Sequence, residues 1–268
     1  MDIHDNEQER RVRVLAHRGA PGPWRENTLR AFEAARSLGA DGVELDVRLL
    51  ADGTLAVHHD PVLQGVGALH RLSRDDLPSW LPSLSDALEA CAGMDVDIEV
   101  KNLPGDPAFD PSEALATAVA DEILRFATEG APGEGTASGP EGRIERLLVT
   151  SFWAPSLLAV RKAAPQVSTG LLLHPAFDPL ESIPVAEAAG CRVLLPHWGL
   201  LEGDAGARLV ERAHERQMAV AAWSPSDATG VQAMIDAGVD AVVTDVPAVA
   251  LEVVRLVERT LRREQSGP

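Results

Sequence analysis

Short β-branched and aliphatic runs alternate with longer stretches of helical periodicity along almost the whole chain. Three apolar runs fall at 12–16, 42–49 and 94–101. Five more end at Thr150-Ser151-Phe152, Leu173-His174, Pro196-His197, Ala222-Trp223 and Thr244-Asp245. Helical stretches fill the intervals at 28–38, 82–92, 112–127, 155–164, 179–189, 204–217, 227–237 and 247–263. A strand, a helix and a further strand read as a parallel βαβ unit, because parallel neighbours need a long crossover. Eight such units predict an α/β fold closed into a (β/α)8 TIM barrel, over an open sheet. The 268 residues suit one domain spanning 1–268. Residues 1–11 are polar and read as a loose tail. Residues 129–143 are rich in Gly, Pro, Ser and Glu and read as a flexible loop.

Local signals refine this outline. Asn27 reads as the N-cap of helix 28–38, whose apolar stripe is Leu29, Phe32, Ala35 and Leu38, and Gly39 ends it. Asp52-Gly53 marks a tight hairpin turn. It returns 54–59 beside the second strand and brings His59 near the mouth. Side chains alternate along a strand, so Glu44 and Asp46 share one face of the second strand. Asp97, Glu99 and Lys101 share one face of the third. Both faces of a strand in a βα repeat are buried. Carboxylates pointing into the barrel are therefore costly unless positive charge sits between them.

The formal charge of −17 argues against nucleic acid and against a basic membrane-binding surface. An anionic substrate would be drawn in only locally, by a side-chain cation or a bound metal. No apolar run approaches the ~18 residues of a membrane span. The opening residues 1–7 lack the basic-then-apolar pattern of a signal peptide. The expectation is a cytoplasmic protein with no stable membrane insertion; its oligomeric state is open. Cys91 and Cys191 make no disulfide framework and read as core residues.

The carboxyl ends of barrel strands converge on one mouth. That gathers His17, Arg18, Glu44, Asp46, His59, Glu99, Lys101, Ser151 and Trp223. Glu44, Asp46 and Glu99 form a hard oxygen set without cysteine, suited to one divalent cation, Mg²⁺ or Ca²⁺, more than to zinc. Each residue alone also has a structural reading. A strand-end histidine is often a hydrogen-bonded core group, and Lys101 can be the counter-ion of Glu99. His174 and His197 also end strands and read as structural, as does His58, which points away from His59.

Four linked motifs carry a family resemblance. They are His17-Arg18-Gly19, Glu26-Asn27-Thr28, the strand Gly39-Ala40-Asp41-Gly42-Val43-Glu44-Leu45-Asp46, and His59-Asp60. In order and spacing they resemble the N-terminal half of glycerophosphodiester phosphodiesterases, within the phosphatidylinositol-phospholipase-C-like superfamily. The closing 238–247 stretch, with Thr244-Asp245 and Pro247, is similar to that family's last strand. The resemblance extends to about residue 250. It implies a metal-dependent hydrolase acting on small water-soluble diesters such as glycerophosphocholine or glycerophosphoethanolamine, releasing sn-glycerol 3-phosphate and an alcohol. The resemblance also implies that Ser151, in a Ser-Phe element, orients ligand, and that Trp223 walls the glycerol pocket. Here Trp223-Ser224-Pro225-Ser226 replaces the family's W-T-V-N, which alters the substrate-fitting part of the motif. The insertion that carries part of the pocket in such proteins is short and trimmed here, at 61–81.

These parts suit phosphodiester cleavage. A metal with Arg18 and Lys101 offsets charge on the non-bridging oxygens. His17 is assigned the base or nucleophile role and His59 the acid role, with exchange between steps allowed. The attacker is water, or the glycerol 2-hydroxyl through a cyclic phosphate. Glu26 supports the site by bonding Arg18 or a metal-bound water. Two rivals stand beside this reading. One is phospholipase-D-like cleavage of lysophospholipids or sphingomyelin. The other is a non-catalytic barrel that only binds a phosphodiester.

Overall fold

The computed structural model describes residues 11–20, 22–129 and 139–265. The chain opens with β1 (Arg13–Ala16), α1 (Leu29–Leu38), β2 (Gly42–Leu49) and β3 (Leu55–Val57). A short excursion holds β4 (Val62–Leu63) and β5 (Gly67–Ala68), and α2 (Leu84–Ala90) and β6 (Asp95–Val100) follow. Then come α3 (Ala114–Glu129), α4 (Pro140–Ile144), β7 (Leu147–Ser151), α5 (Ala154–Ala163) and β8 (Ser168–Leu173). Next are α6 (Pro179–Ala189), β9 (Val193–Pro196), α7 (Gly203–Glu215) and β10 (Ala219–Trp223). The last three elements are α8 (Ala228–Asp236), β11 (Ala241–Thr244) and α9 (Pro247–Gln265).

The sheet runs β1-β11-β10-β9-β8-β7-β6-β2-β3, and β1 also pairs with β2 through Leu15↔Gly42 and Ala16↔Val43. That pairing closes eight parallel strands into the expected TIM barrel, with β3 hairpinned antiparallel onto β2. β2 and β6 run in register, with Glu44 opposite Asp97 and Asp46 opposite Glu99. Alternation therefore sets four carboxylates side by side on the inner wall.

The core has two layers. Outward strand residues such as Val43, Leu45 and Ile98 pack with Phe32, Leu88 and Ile123 from the helices. Each fully buried side chain of this size contributes about 1.5–3 kcal/mol. The barrel interior is filled on one side by Leu15, Leu148, Leu172, Val193, Leu195 and Val243. On the β2–β6 side it holds the buried Glu44, Asp46, Asp97 and Glu99 instead. The interior is thus apolar on one half and acidic on the other, and the site grows from the acidic half.

Several local expectations change. Thr28 caps α1 by accepting from the Ala31 backbone N–H, while Asn27 has φ 56° and is not the cap. Leu29 and Leu38 are exposed, and the buried face of α1 is Ala31, Phe32 and Ala35. Residues 1–10 of the expected tail and 130–138 of the expected loop lie outside the described residues. At their margins, Arg11 pairs with Asp41, and Pro140–Ile144 is helical with proline in its first turn. The 61–81 segment is not wholly irregular. β4 and β5 form a ribbon, followed by 3₁₀ turns, over a small core of Leu50, Leu63, Leu69 and Leu81. No helix among the described residues is long and apolar enough to cross a membrane.

Candidate active site

The inner face of β1 carries Leu15 and, one pleat on, His17. Its Nδ1 lies 2.6 Å from Asp245 Oδ1, and its Nε2 lies 3.8 Å from Glu44 Oε2. Burial lowers the His17 pKa, but Glu44 and Asp245 outweigh it and raise the group above 6.5. The hydrogen bond from His17 in turn lowers Asp245. The chain then turns through left-handed backbone at Arg18 (φ 53°) and Gly19 (φ 84°). A β-carbon at Gly19 would sit 2.8 Å from Ala31, so only glycine lets this turn pack on α1. The turn aims the Arg18 backbone N–H at Glu44 Oε2, 2.9 Å away. The Arg18 guanidinium bridges Asp46 Oδ2, at 3.1 Å, and Glu26 Oε1, at 2.9 Å. Glu26 thus bonds Arg18, as expected.

Glu44, Asp46 and Glu99 each bring one carboxylate oxygen within 4.8 Å of the others. Lys101 Nζ lies 2.8 Å from Asp46 Oδ1 and 2.5 Å from Glu99 Oε1. The structural partner of Lys101 is therefore Glu99 and Asp46 together, so the lysine is also the internal counter-charge of the acidic cluster. Burial pushes Asp46 up, but Lys101 and Arg18 overcome this and hold it down at about 2. Glu44 lacks such a partner. Burial, then Asp46, pushes it up to about 8. Its Oε1 is buried and, among the described residues, accepts no hydrogen bond. Burial also raises Glu99, against the pull of Lys101. An orphaned buried carboxylate oxygen beside two more hard oxygen donors fits a divalent cation. Directly below, Asp97 accepts from Thr150 Oγ1 at 2.7 Å, and burial pushes it up to about 7.

His59 follows the β2–β3 hairpin. Its Nδ1 lies 2.8 Å from Asp60 Oδ1. Its carbonyl accepts from the buried Arg48 Nε at 2.7 Å, and Arg48 Nη1 reaches Asp106 Oδ2 at 2.9 Å. Arg48 therefore ties the histidine loop to the segment after β6. Sequence reasoning missed Arg48, and it missed the role of Asn27. The Asn27 side-chain amide donates to Asp46 Oδ2 at 2.7 Å, and its carbonyl oxygen accepts from the Asp46 backbone N–H at 3.3 Å. A cap-type residue before a helix carries no sign of such an inward turn.

Ser151 does not reach the site, which corrects its expected ligand role. It is fully buried, donates to the Val100 carbonyl at 3.1 Å and accepts from the Trp153 N–H at 3.1 Å. Its neighbour Thr150 is the inward residue. Trp223 does line the mouth. Its Nε1 donates to the Leu195 carbonyl at 2.8 Å, and its ring meets Phe152 edge-on at 5.5 Å.

A TIM barrel with paired imidazoles, an acidic cluster and two rim cations at its carboxyl mouth is built as a phosphodiester hydrolase. The comparisons agree and narrow the class. The Glycerophosphoryl diester phosphodiesterase family matches residues 17–249, and the chain belongs to that family. It is 27% identical over 262 residues to a glycerophosphodiester phosphodiesterase of Caldanaerobacter subterraneus subsp. tengcongensis, covering 90% of this chain and 97% of that one. A Bacillus altitudinis glycerophosphodiester phosphodiesterase is 27% identical over 267 residues, covering 90% and 98%. The fold is similar to a putative glycerophosphoryl diester phosphodiesterase from Silicibacter pomeroyi (TM-score 0.75, 22% identity, 93% and 95% covered). It is also similar to an Oleispira antarctica phosphodiesterase solved with the product sn-glycerol-3-phosphate (TM-score 0.73, 22% identity, 91% and 97% covered).

Proposed function

We propose that the chain hydrolyses glycerophosphodiesters such as glycerophosphocholine and glycerophosphoethanolamine to sn-glycerol 3-phosphate and an alcohol, with one divalent cation, Mg²⁺ or Ca²⁺. The observation that carries this is the orphaned Glu44 oxygen within the Glu44, Asp46 and Glu99 cluster, between His17 and Lys101. A divalent cation held by those three carboxylates supplies positive charge against the non-bridging phosphoryl oxygens. Arg18 and Lys101 face the phosphoryl group as fixed cations. Trp223 walls the glycerol side.

The histidine roles follow from their partners. Asp245 holds the proton on His17 Nδ1, so Nε2 is the free base toward the attacking hydroxyl. Asp60 pairs with His59 Nδ1 in the same way, so in the acid role His59 delivers the Nε2 proton of its imidazolium form. The His59 side chain is 37% exposed against 19% for His17. That suits His59 to the alkoxide that departs toward solvent.

One feature favours a second reading, lysophospholipid cleavage. An apolar groove of about 630 Å³ runs between α1 and α9, lined by Trp24, Leu38, Val249 and Asp245. It offers a path for an acyl chain beside the site.

The test is release of glycerol 3-phosphate from glycerophosphocholine with Mg²⁺, with Ca²⁺ and with chelator. Metal-dependent release, abolished in His17→Ala and in His59→Ala, is expected. Faster turnover of a micellar lysophospholipid than of glycerophosphocholine would move the assignment to the second reading.

A further inference from the structure

The half of the mouth opposite the acidic cluster is also built. β8 and β9 pair Leu172↔Leu195 and Leu173↔Pro196, which brings His174 and His197 to adjacent positions at the rim. His197 in turn bridges to Trp223 at the end of β10. Leu172, Leu195 and Ala221 line the barrel interior, so His174, His197 and Trp223, two residues on, continue that inner face. The His197 ring meets Trp223 edge-on with centroids 5.0 Å apart, and Phe152 meets the same tryptophan edge-on at 5.5 Å.

Both histidines make the same local turn. His174 Nδ1 accepts from the Ala176 backbone N–H at 3.2 Å, and His197 Nδ1 accepts from the Gly199 N–H at 3.1 Å. A neutral imidazole whose Nδ1 accepts must carry its proton on Nε2. Burial, then His174, holds His197 below 6.5, which favours that neutral form. Among the described residues neither Nε2 has a hydrogen-bond partner. The rim therefore presents two N–H donors beside two aromatic faces. That pairing suits a polyol, whose C–H face packs on a ring while its hydroxyls accept from N–H groups. A quaternary ammonium group offers these donors no acceptor.

We propose that His174 and His197 form a hydroxyl-reading subsite for a polyol substituent of the phosphodiester, with Trp223 and Phe152 packing its carbon face. This rests on the phosphodiesterase reading above. The hydroxyls belong either to the glycerol half of the substrate or to a polyhydroxylated leaving alcohol.

The test uses the double variant His174→Asn, His197→Asn. Asparagine keeps a short acceptor for the backbone N–H but removes the Nε2 donor. Single variants and a melting curve check that the barrel is intact. Three diesters are compared: glycerophosphoinositol, glycerophosphocholine and bis(4-nitrophenyl) phosphate, which carries no hydroxyl. The expected loss in kcat/KM is at least about tenfold, the scale of one to two hydrogen bonds. Loss on glycerophosphoinositol alone assigns the subsite to the leaving alcohol. Loss on both glycerol diesters, with the nitrophenyl diester unchanged, assigns it to glycerol. Equal loss on all three, or no loss, overturns the proposal. If the wild-type protein turns over none of them, the phosphodiesterase reading has failed separately. Calorimetric titration with glycerophosphoinositol then decides the subsite: weaker binding by the double variant supports it, and equal binding overturns it.

Discussion

Replacing Asn27 with alanine tests how the metal-side carboxylates are held. Asn27 is 1% exposed and sits at φ 56°. Its amide donates to Asp46 Oδ2, a carboxylate with no exposure of its own. Loss of a hydrogen bond to a buried charge costs about 1.5–3 kcal/mol. Alanine in left-handed backbone adds about 1 kcal/mol relative to asparagine. The total is about 2.5–4 kcal/mol, or a fall in Tm of roughly 5–8 °C at about 2 °C per kcal/mol for a chain of this size. Asn27→Gly keeps the backbone free and is expected to be the milder variant. Asn27→Asp places a further carboxylate against Asp46 and is expected to be worse than either. Differential scanning calorimetry of the three metal-free variants measures this order. An Asn27→Ala protein within about 1 kcal/mol of wild type would refute the argument that this amide holds Asp46.

Three further outcomes are expected. Asp245 raises the His17 pKa, so Asp245→Asn lowers it and moves the acid limb of the kcat/KM profile on bis(4-nitrophenyl) phosphate to lower pH; a limb that stays or rises contradicts the base assignment. Glu44 is raised from 4.5 to about 8, so between those values the folded metal-free protein keeps a proton that the unfolded chain has released. Its stability therefore falls as pH rises through that window, and the Tm gain from Mg²⁺ or Ca²⁺ is larger near about pH 8 than near about pH 6; a gain independent of pH would show that Glu44 is not a ligand. Burial pushes the Cys91 thiol to about 12 and Cys191 to about 11, so neither reacts with Ellman's reagent in the native protein and both react in guanidinium.

Much of this molecule is written in local pattern. The strand–helix alternation dictates a parallel sheet, since each crossover needs its helix. The two-residue period along 42–49 and 94–101 puts Glu44, Asp46, Asp97, Glu99 and Lys101 on shared faces whatever else happens. The Asp52-Gly53 turn returns the chain so that His59 follows β3. Those rules act between residues a few positions apart, and a sequence displays them directly.

What tertiary structure decided is which face looks inward and what meets there. Ser151 and Thr150 both lie in a strand buried on each side, so no polarity pattern marks the inward one; the β6–β7–β8 register makes it Thr150. Asn27 resembles a helix cap until the Arg18–Gly19 turn folds its amide onto Asp46, 19 residues away in sequence. Arg48 gains its role only when the segment after β6 brings Asp106 to it. Asp245 and His17 lie 228 residues apart, and closure of the barrel through β1 and β11 joins them. A charge placed by strand period can be read from the sequence, whereas its partner across a closed sheet is set by register, which no local pattern encodes.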